Sequence, residues 1–380
     1  MKFTVKSDYL EKALDMATTI VPRKSPLLSL EGVKIEAKNS KLKILTTDLE
    51  NEYIATIDAE VSKEGQTVIP LKNLKQLIDK IDYPEINFEL KDSILVINAF
   101  NFTAELSTID TSEYPDLSLV SNEFHDLLEI ESYLLDQAIN NVAYSSSYPD
   151  ESNPVFSGVL FEILKNGINF VATDGSQLAY KKISQQTKVK KEINLIVPLK
   201  ILKTIQKNIE GVITIQADNM DDPKVISFKQ KTSIGEIQLA SKLIEGSFPK
   251  YKEVIPQDFE INIILSRKVL LDAIKRILVI SKSRELSGIV IFDINHNKMI
   301  VKSIESEIGK AKEEITLKKE AQKDLVIYFN GKFIETMLSN IKEEEIELHF
   351  IDETSPMKVS IPDNQDFLYL LMPIRITATV

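Results

Sequence analysis

Leu195-Ile196-Val197-Pro198-Leu199-Lys200 runs an apolar strand pattern straight into an amphipathic helix, in which Leu199, Leu202, Ile205 and Ile209 share one face. The same passage occurs twice more, as Thr67-Val68-Ile69-Pro70-Leu71-Lys72 and Leu325-Val326-Ile327-Tyr328-Phe329-Asn330. Pro70 and Pro198 stand 128 residues apart. Upstream of each copy a glycine enters an apolar strand pattern: Gly32-Val33-Lys34-Ile35, Gly158-Val159-Leu160-Phe161 and Gly288-Ile289-Val290-Ile291. Further upstream each copy opens on a strand and a helix. These are Phe3-Thr4-Val5 with a helix from about Asp8, Leu127-Leu128-Glu129-Ile130 with one from about Ser132, and Ile261-Asn262-Ile263-Ile264 with one from about Ser266. Solenoid repeats are far shorter than this, so the period marks a domain repeat.

The first repeat divides again into two halves that each read strand, helix, strands. Period-two alternation in Leu42-Lys43-Ile44-Leu45 and Ile86-Asn87-Phe88-Glu89-Leu90 supports the strands. Three copies of two halves make six βαβββ units. Helices are expected at 8–20, 71–82, 132–145, 199–210, 266–282 and 331–342, with Ser7, Ser132 and Ser266 as N-caps. Tyr114–Phe124 and Tyr251–Phe259, with proline and no clear period, read as linkers.

A chain of 380 residues with 43% apolar and 27% charged residues can build a core in each repeat. The absence of cysteine excludes disulfides and thiolate chemistry and fits a reducing cytosol. Met1-Lys2-Phe3-Thr4-Val5 carries no apolar signal segment, and no run approaches a membrane span, so a cytoplasmic protein without membrane partners is expected. The net charge of −11 argues against a general nucleic-acid binder, but its distribution is uneven. The six expected helices hold 14 basic and 9 acidic residues, so the excess negative charge lies outside them. A solvated helix face explains such lysines; a mildly basic helical surface on an acidic body explains them too, and would attract phosphates without reading bases.

Signs of catalysis are missing. His125, His296 and His349 are far apart and lack metal-ligand spacing, and no nucleophile elbow or phosphate-binding loop occurs. Thr173-Asp174-Gly175 reads as a turn after a strand. No catalytic residue, metal or cofactor is expected.

Assembled in this order, the repeat, its halves and the basic helices resemble the bacterial sliding clamps, the beta subunits of the DNA polymerase III holoenzyme. The strings that carry the resemblance are Met1-Lys2-Phe3-Thr4-Val5, Thr47-Asp48-Leu49-Glu50, Val171 to Ala179, Ser241 to Tyr251, and Leu370-Leu371-Met372-Pro373-Ile374-Arg375-Ile376. It covers residues 1–376. The resemblance implies an α+β fold of three DNA-clamp domains, 1–120, 125–253 and 259–380, each of two βαβββ halves with two helices on antiparallel sheet. It implies a head-to-tail homodimeric ring around double-stranded DNA, holding the DNA polymerase III alpha subunit, the clamp loader and other proteins with a clamp-binding motif. Such a ring is a non-catalytic processivity factor.

The family's partner-peptide pocket maps onto Phe156, Thr173, Gly175, Ser176, Gln177, Leu178, Pro249, Val254, Leu286, Asn330, Phe333, Met372, Pro373, Ile374, Arg375 and Ile376. DNA-facing candidates are Lys24, Lys72, Lys75, Lys200, Lys203, Lys207, Arg267, Lys275 and Arg276. The dimer surfaces map near Ala104–Thr108 and Leu278–Ser283, with Ala104, Leu106, Val279 and Ile280 as contacts; internal core is the competing role for Leu106 and Ile280. Ser176-Gln177 replaces the His-Arg pair common in relatives, and Glu253 stands where some carry arginine, so the pocket rim loses positive charge. Thr377–Val380 extends past the usual end. Two rival readings are a scaffold that never closes a ring and a hydrolase using surface carboxylates.

Overall fold

The computed structural model describes the chain apart from residues 23, 148–152, 209, 282–287, 306–308 and 376–380 and the side chains of 207 and 208. In the first repeat β1 (Lys2–Lys6) runs into α1 (Ser7–Ile20), then β2 (Gly32–Lys38), β3 (Lys41–Thr47) and β4 (Asn51–Asp58). After a short extra strand β5 (Glu60–Lys63), β6 (Gly65–Pro70) runs into α2 (Leu71–Ile78), β7 (Glu85–Lys91), β8 (Ile94–Ala99) and β9 (Phe102–Ser107). The second repeat holds β10 (His125–Glu131), α3 (Ser132–Val142), β11 (Gly158–Leu164), β12 (Gly167–Thr173) and β13 (Gln177–Ser184), then β14 (Ile193–Pro198), α4 (Leu199–Asn208), β15 (Val212–Ala217), β16 (Val225–Thr232) and β17 (Gly235–Lys242). The third holds β18 (Ile261–Ser266), α5 (Arg267–Ile280), β19 (Ile289–Asn295), β20 (Lys298–Ser303) and β21 (Lys312–Thr316), then β22 (Leu325–Asn330), α6 (Gly331–Asn340), β23 (Glu345–Phe350), β24 (Met357–Ile361) and β25 (Asn364–Leu371). Six βαβββ units are present.

These units gather into two compact bodies that divide the second repeat. The first comprises residues 1–136 and 186–244. Its sheets run β5-β1-β7-β8-β9 and β10-β15-β16-β17-β4-β3-β2-β6. The second sheet crosses a repeat boundary: β17 pairs antiparallel with β4, from Gly235↔Ile57 to Ser241↔Asn51. Helix α1 packs Leu10, Ala13, Leu14 and Ala17 inward, beside α2 and α4. The buried Tyr53 hydroxyl donates to the Ala13 carbonyl at 2.9 Å, so its polar tip is satisfied by helix backbone inside that core.

The second body comprises residues 137–185 and 245–380. One sheet runs β11-β12-β13-β25-β24-β23-β18 and another β21-β20-β19-β22. Again a sheet crosses a repeat boundary, where β13 pairs with β25 from Gln177↔Leu371 to Lys181↔Phe367. Helices α5 and α6 pack together over these sheets. Gly331 permits the approach: a Cβ there would lie 2.6 Å from Val290 and 2.9 Å from Leu278.

Two expectations need correction. Helix α2 ends at Ile78, four residues early, where the backbone tightens into i→i−3 bonds from Lys80 to Leu77 and Ile81 to Ile78. Two of the expected serine caps do not form: Ser7 is the first residue of α1 and donates its hydroxyl to the Tyr83 carbonyl, while Ser266 makes no side-chain cap bond. Each strand enters its helix without a turn, so the serine is not left free to fold back. Asn330 does cap, accepting the Lys332 N–H at 3.0 Å.

Candidate functional site: an apolar cleft and a basic helical face

The cleft forms where β13 meets β25, with Leu178 opposite Leu370. A pinned turn delivers the chain into β13. The Asp174 carboxylate accepts the N–H groups of Ser176 (2.8 Å) and Gln177 (2.9 Å). The Thr173 hydroxyl accepts the Gly175 N–H at 3.1 Å and donates to the Gln177 carbonyl at 2.6 Å. Gly175 adopts φ +88°, which a side chain would strain. The Gln177 amide donates to Asp174 and accepts the Tyr369 hydroxyl, both at 2.8 Å. Burial holds the Tyr369 phenol well above its ordinary pKa, so it stays a donor. The opposite wall is a 3-10 turn over Tyr251–Val254.

The cleft measures about 230 Å³ and is lined by Phe156, Thr173, Gly175, Ser176, Gln177, Leu178, Pro249, Tyr251, Val254, Pro356, Leu370 and Met372. Cofactor and drug-sized sites occupy roughly 300–1,000 Å³, so this one suits a few side chains. The Thr173 and Gln177 polar groups bond within the protein, which leaves an apolar wall open. Val254 is 58% and Met372 45% exposed, unusual for such side chains in a closed core.

Nine of the sixteen expected pocket residues line this cleft. Asn330 caps α6, and Phe333 is half-buried on that helix. Neither lines the cleft, nor do Pro373, Ile374 and Arg375; Ile374 donates its N–H to the Tyr328 carbonyl at 2.8 Å. Leu286 and Ile376 lie outside the described residues. Tyr251, Pro356 and Leu370 join the lining beyond the expected set. Tyr251 and Leu370 belong to the strings that carry the family resemblance; nothing in the sequence marks Pro356. Glu253 pairs with Lys250 at 3.4 Å, both well exposed.

The basic helices are less free than their composition suggests. Lys75 is wedged between Asp15 (2.7 Å) and Asp79, and Lys200 pairs with Asp48. Arg267 donates to the Glu343 and Leu338 carbonyls at 2.8 and 2.9 Å, tying α5 to the end of α6. Arg276 grips Glu313 through two bonds of 2.8 and 2.6 Å. Lys24, Lys72, Lys203 and Lys275 are exposed and make no ion pair among the described residues; the Lys207 side chain lies outside them. Lys200 and Lys203 border a polar hollow of about 470 Å³ between α4 and the end of α1.

For the dimer contacts, Ala104 and Leu106 are half-buried on β9, the last strand of its sheet. Val279 is 60% exposed at the end of α5 and Ile280 is half-buried beside it; positions 282 and 283 lie outside the described residues. Among the described residues no three His, Asp or Glu side chains gather to hold a metal. His349 is locked between Asn262 (2.6 Å) and Ser360 (2.7 Å) on paired strands, and burial with the Lys358 charge lowers its pKa to about 4.

Comparison with known proteins adds the deciding observation. Profiles of the DNA polymerase III beta subunit match the chain in order: the N-terminal domain at 1–118, the central domain at 129–250 and the C-terminal domain at 252–375. The chain belongs to the DNA polymerase III beta subunit family. The beta sliding clamp of Staphylococcus epidermidis is 27% identical over 99% of both chains. That of Rickettsia felis is 23% identical over 99% of this chain and 100% of its own. Among solved structures, the Thermotoga maritima beta subunit is 30% identical with a TM-score of 0.88, covering 99% of both chains. A sliding clamp from Pseudomonas aeruginosa bound to griselimycin shares the fold, at 23% identity and a TM-score of 0.88 over 99% of this chain and 100% of that one. The protein is thus a DNA sliding clamp. It acts in DNA replication as a non-catalytic processivity factor, a dimeric ring on duplex DNA that tethers the polymerase. No helix among the described residues is long and apolar enough to cross a membrane.

Proposed function

We propose that this clamp closes by repeating, between two copies, the strand pairing it already makes twice within itself, and that the cleft at the β13–β25 junction is where partners dock. The observation that carries the reading is the repeated junction. The last strand of one repeat's second half pairs with the last strand of the preceding repeat's first half, β17 with β4 and β25 with β13. By the same rule β9 lacks a mate among the described residues, as does β21, and each ends its sheet. A head-to-tail pairing of β9 with β21 of a second copy satisfies both edges and closes after one rotation.

Held topologically, the ring needs no tight grip on DNA. Lys24, Lys72, Lys203 and Lys275 supply weak, salt-sensitive attraction to the backbone. A polymerase docked in the cleft then meets its primer end at high effective concentration. Clamp loader and other partners use the same cleft through short segments bearing apolar side chains, in the cytoplasm.

Loading on nicked circular DNA tests ring closure: the clamp stays on the circle and runs off once it is linearised. Release from the intact circle at an equal rate would refute closure. For the cleft, Val254→Glu and Met372→Glu place charge on its two exposed walls. Each should weaken polymerase alpha-subunit binding at least about tenfold while DNA retention holds.

A further inference from the structure

Glu162 lies on β11, directly opposite Asn169 on β12, and is only 4% exposed. A carboxylate there is costly to bury, and an apolar cross-strand pair would serve the sheet as well. Its partners explain its presence. Lys252 donates to one carboxylate oxygen at 2.6 Å, while the Tyr251 hydroxyl (2.8 Å) and the Asn169 amide (2.5 Å) donate to the other. Tyr180, on β13, donates its hydroxyl to the Asn169 carbonyl oxygen at 2.9 Å and so turns the amide's N–H toward Glu162. Two of the three donors on Glu162 belong to the 3-10 turn that forms the cleft's outer wall. Tyr251 itself lines the cleft and is 4% exposed.

We infer that Glu162 is a positioning residue for partner docking: from the sheet face it shares with Leu178 it bolts the Tyr251–Val254 wall at the distance from Leu178 and Leu370 that gives the cleft its width. This rests on the cleft being the docking site. The wall is a single short turn, which has little of its own to hold it. Burial pushes the Glu162 carboxyl upward, but the bonds from Lys252, Asn169 and Tyr251 outweigh it and hold the pKa below the ordinary glutamate value. The charged form is therefore the one built into the wall. Burial and the neighbouring carboxylate raise the Tyr251 phenol, which keeps it a donor.

The test uses the full-length clamp and the immobilised alpha subunit of its polymerase. Retention on nicked circular DNA and dimer mass are followed in parallel. Glu162→Gln replaces one accepting oxygen by an NH2 that points a donor at donors already facing it, and should weaken polymerase binding about tenfold with DNA retention unchanged. Tyr251→Phe removes one hydroxyl and should weaken binding about threefold; the double variant should be no weaker than Glu162→Gln alone, because both break one network. Should Glu162→Gln fail to fold, Tyr251→Phe and Lys252→Met decide, since Lys252 is 58% exposed and its removal spares the core. Polymerase binding within twofold of wild type in the folded variants overturns the inference, as does loss of DNA retention in step with polymerase binding. Val254→Glu and Met372→Glu keep the two readings apart: if they too leave polymerase binding intact, the docking site itself is misplaced.

Discussion

The first and second repeat junctions are built alike, yet one is filled and the other open. Thr47-Asp48-Leu49-Glu50-Asn51 repeats the threonine and aspartate bonds to backbone N–H groups in the turn of Thr173-Asp174-Gly175-Ser176-Gln177. Asp48 accepts the Glu50 and Asn51 N–H groups at 3.0 and 2.6 Å, and Thr47 accepts that of Leu49 at 2.9 Å. In each case the turn feeds the strand that crosses the boundary. The residues beyond the turn differ. At the first junction Glu52 stands where the second has Leu178, and Ala240 where the second has Leu370. Glu52 accepts the Ser118 and Val120 N–H groups at 3.1 and 2.9 Å, which draws the linker in. Leu119, 7% exposed, then packs on Val225 and Ala240. The two linkers align as Tyr114-Pro115-Asp116-Leu117-Ser118-Leu119-Val120 with Phe248-Pro249-Lys250-Tyr251-Lys252-Glu253-Val254. Glu253 thus takes the place of Leu119 and is exposed to solvent, and the apolar surface beneath stays bare. The docking site proposed for the second junction arises by leaving out a plug that the neighbouring junction keeps.

Leu119→Ala should cost about 2–4 kcal/mol in denaturant unfolding, the range for a buried leucine; a cost under about 1 kcal/mol would mean that the linker does not hold the first junction. Glu253→Leu should let the second linker fold inward and lower polymerase affinity about tenfold, worth about 1.4 kcal/mol, with DNA retention unchanged. Undiminished affinity would show that Glu253 is not what keeps the cleft open. The turns offer a smaller pair of tests. Leu49 carries φ +75° where Gly175 carries +88°, so Leu49→Gly should stabilise by about 0.5–1 kcal/mol after its unfolded-state cost. Gly175→Ala should destabilise by about 1 kcal/mol through strain alone, since a Cβ there meets nothing nearer than Phe156 at 3.9 Å. The smallest effect concerns acid. Burial, outweighing its backbone hydrogen bonds, raises the Glu52 pKa above 4.5. The folded chain then keeps this proton to higher pH than the unfolded chain, so the contribution falls as pH rises through the window just above 4.5. Glu52→Gln should flatten that slope in melts taken across it.

Much of the architecture is open to reading because strand-to-helix passages such as Leu195–Lys200 carry two periodicities within a short span, three times over. The expected pocket residues are reached through the family resemblance, since Leu178 and Met372 by themselves look like ordinary strand interior. The features hidden from the sequence depend on partners distant in the chain. Lys200 meets Asp48, 152 residues away, and Arg276 meets Glu313 on β21, and no local pattern announces either. Asn330, expected in the pocket, instead spends its side chain on starting a helix. Leu119 sits in a segment with no period, so its burial follows only from the Glu52 bonds that pull the linker in.

The strand pairings at β17–β4 and β13–β25 join segments that are also continuous in the polypeptide, whereas the β9–β21 seam proposed between two copies would have strand pairing alone. Any force that prises the assembly apart meets a covalent tether at every internal boundary and none at the two outer ones. A loading machine therefore need not recognise which joint to open. On that proposal it has only to pull, and the untethered seam yields first.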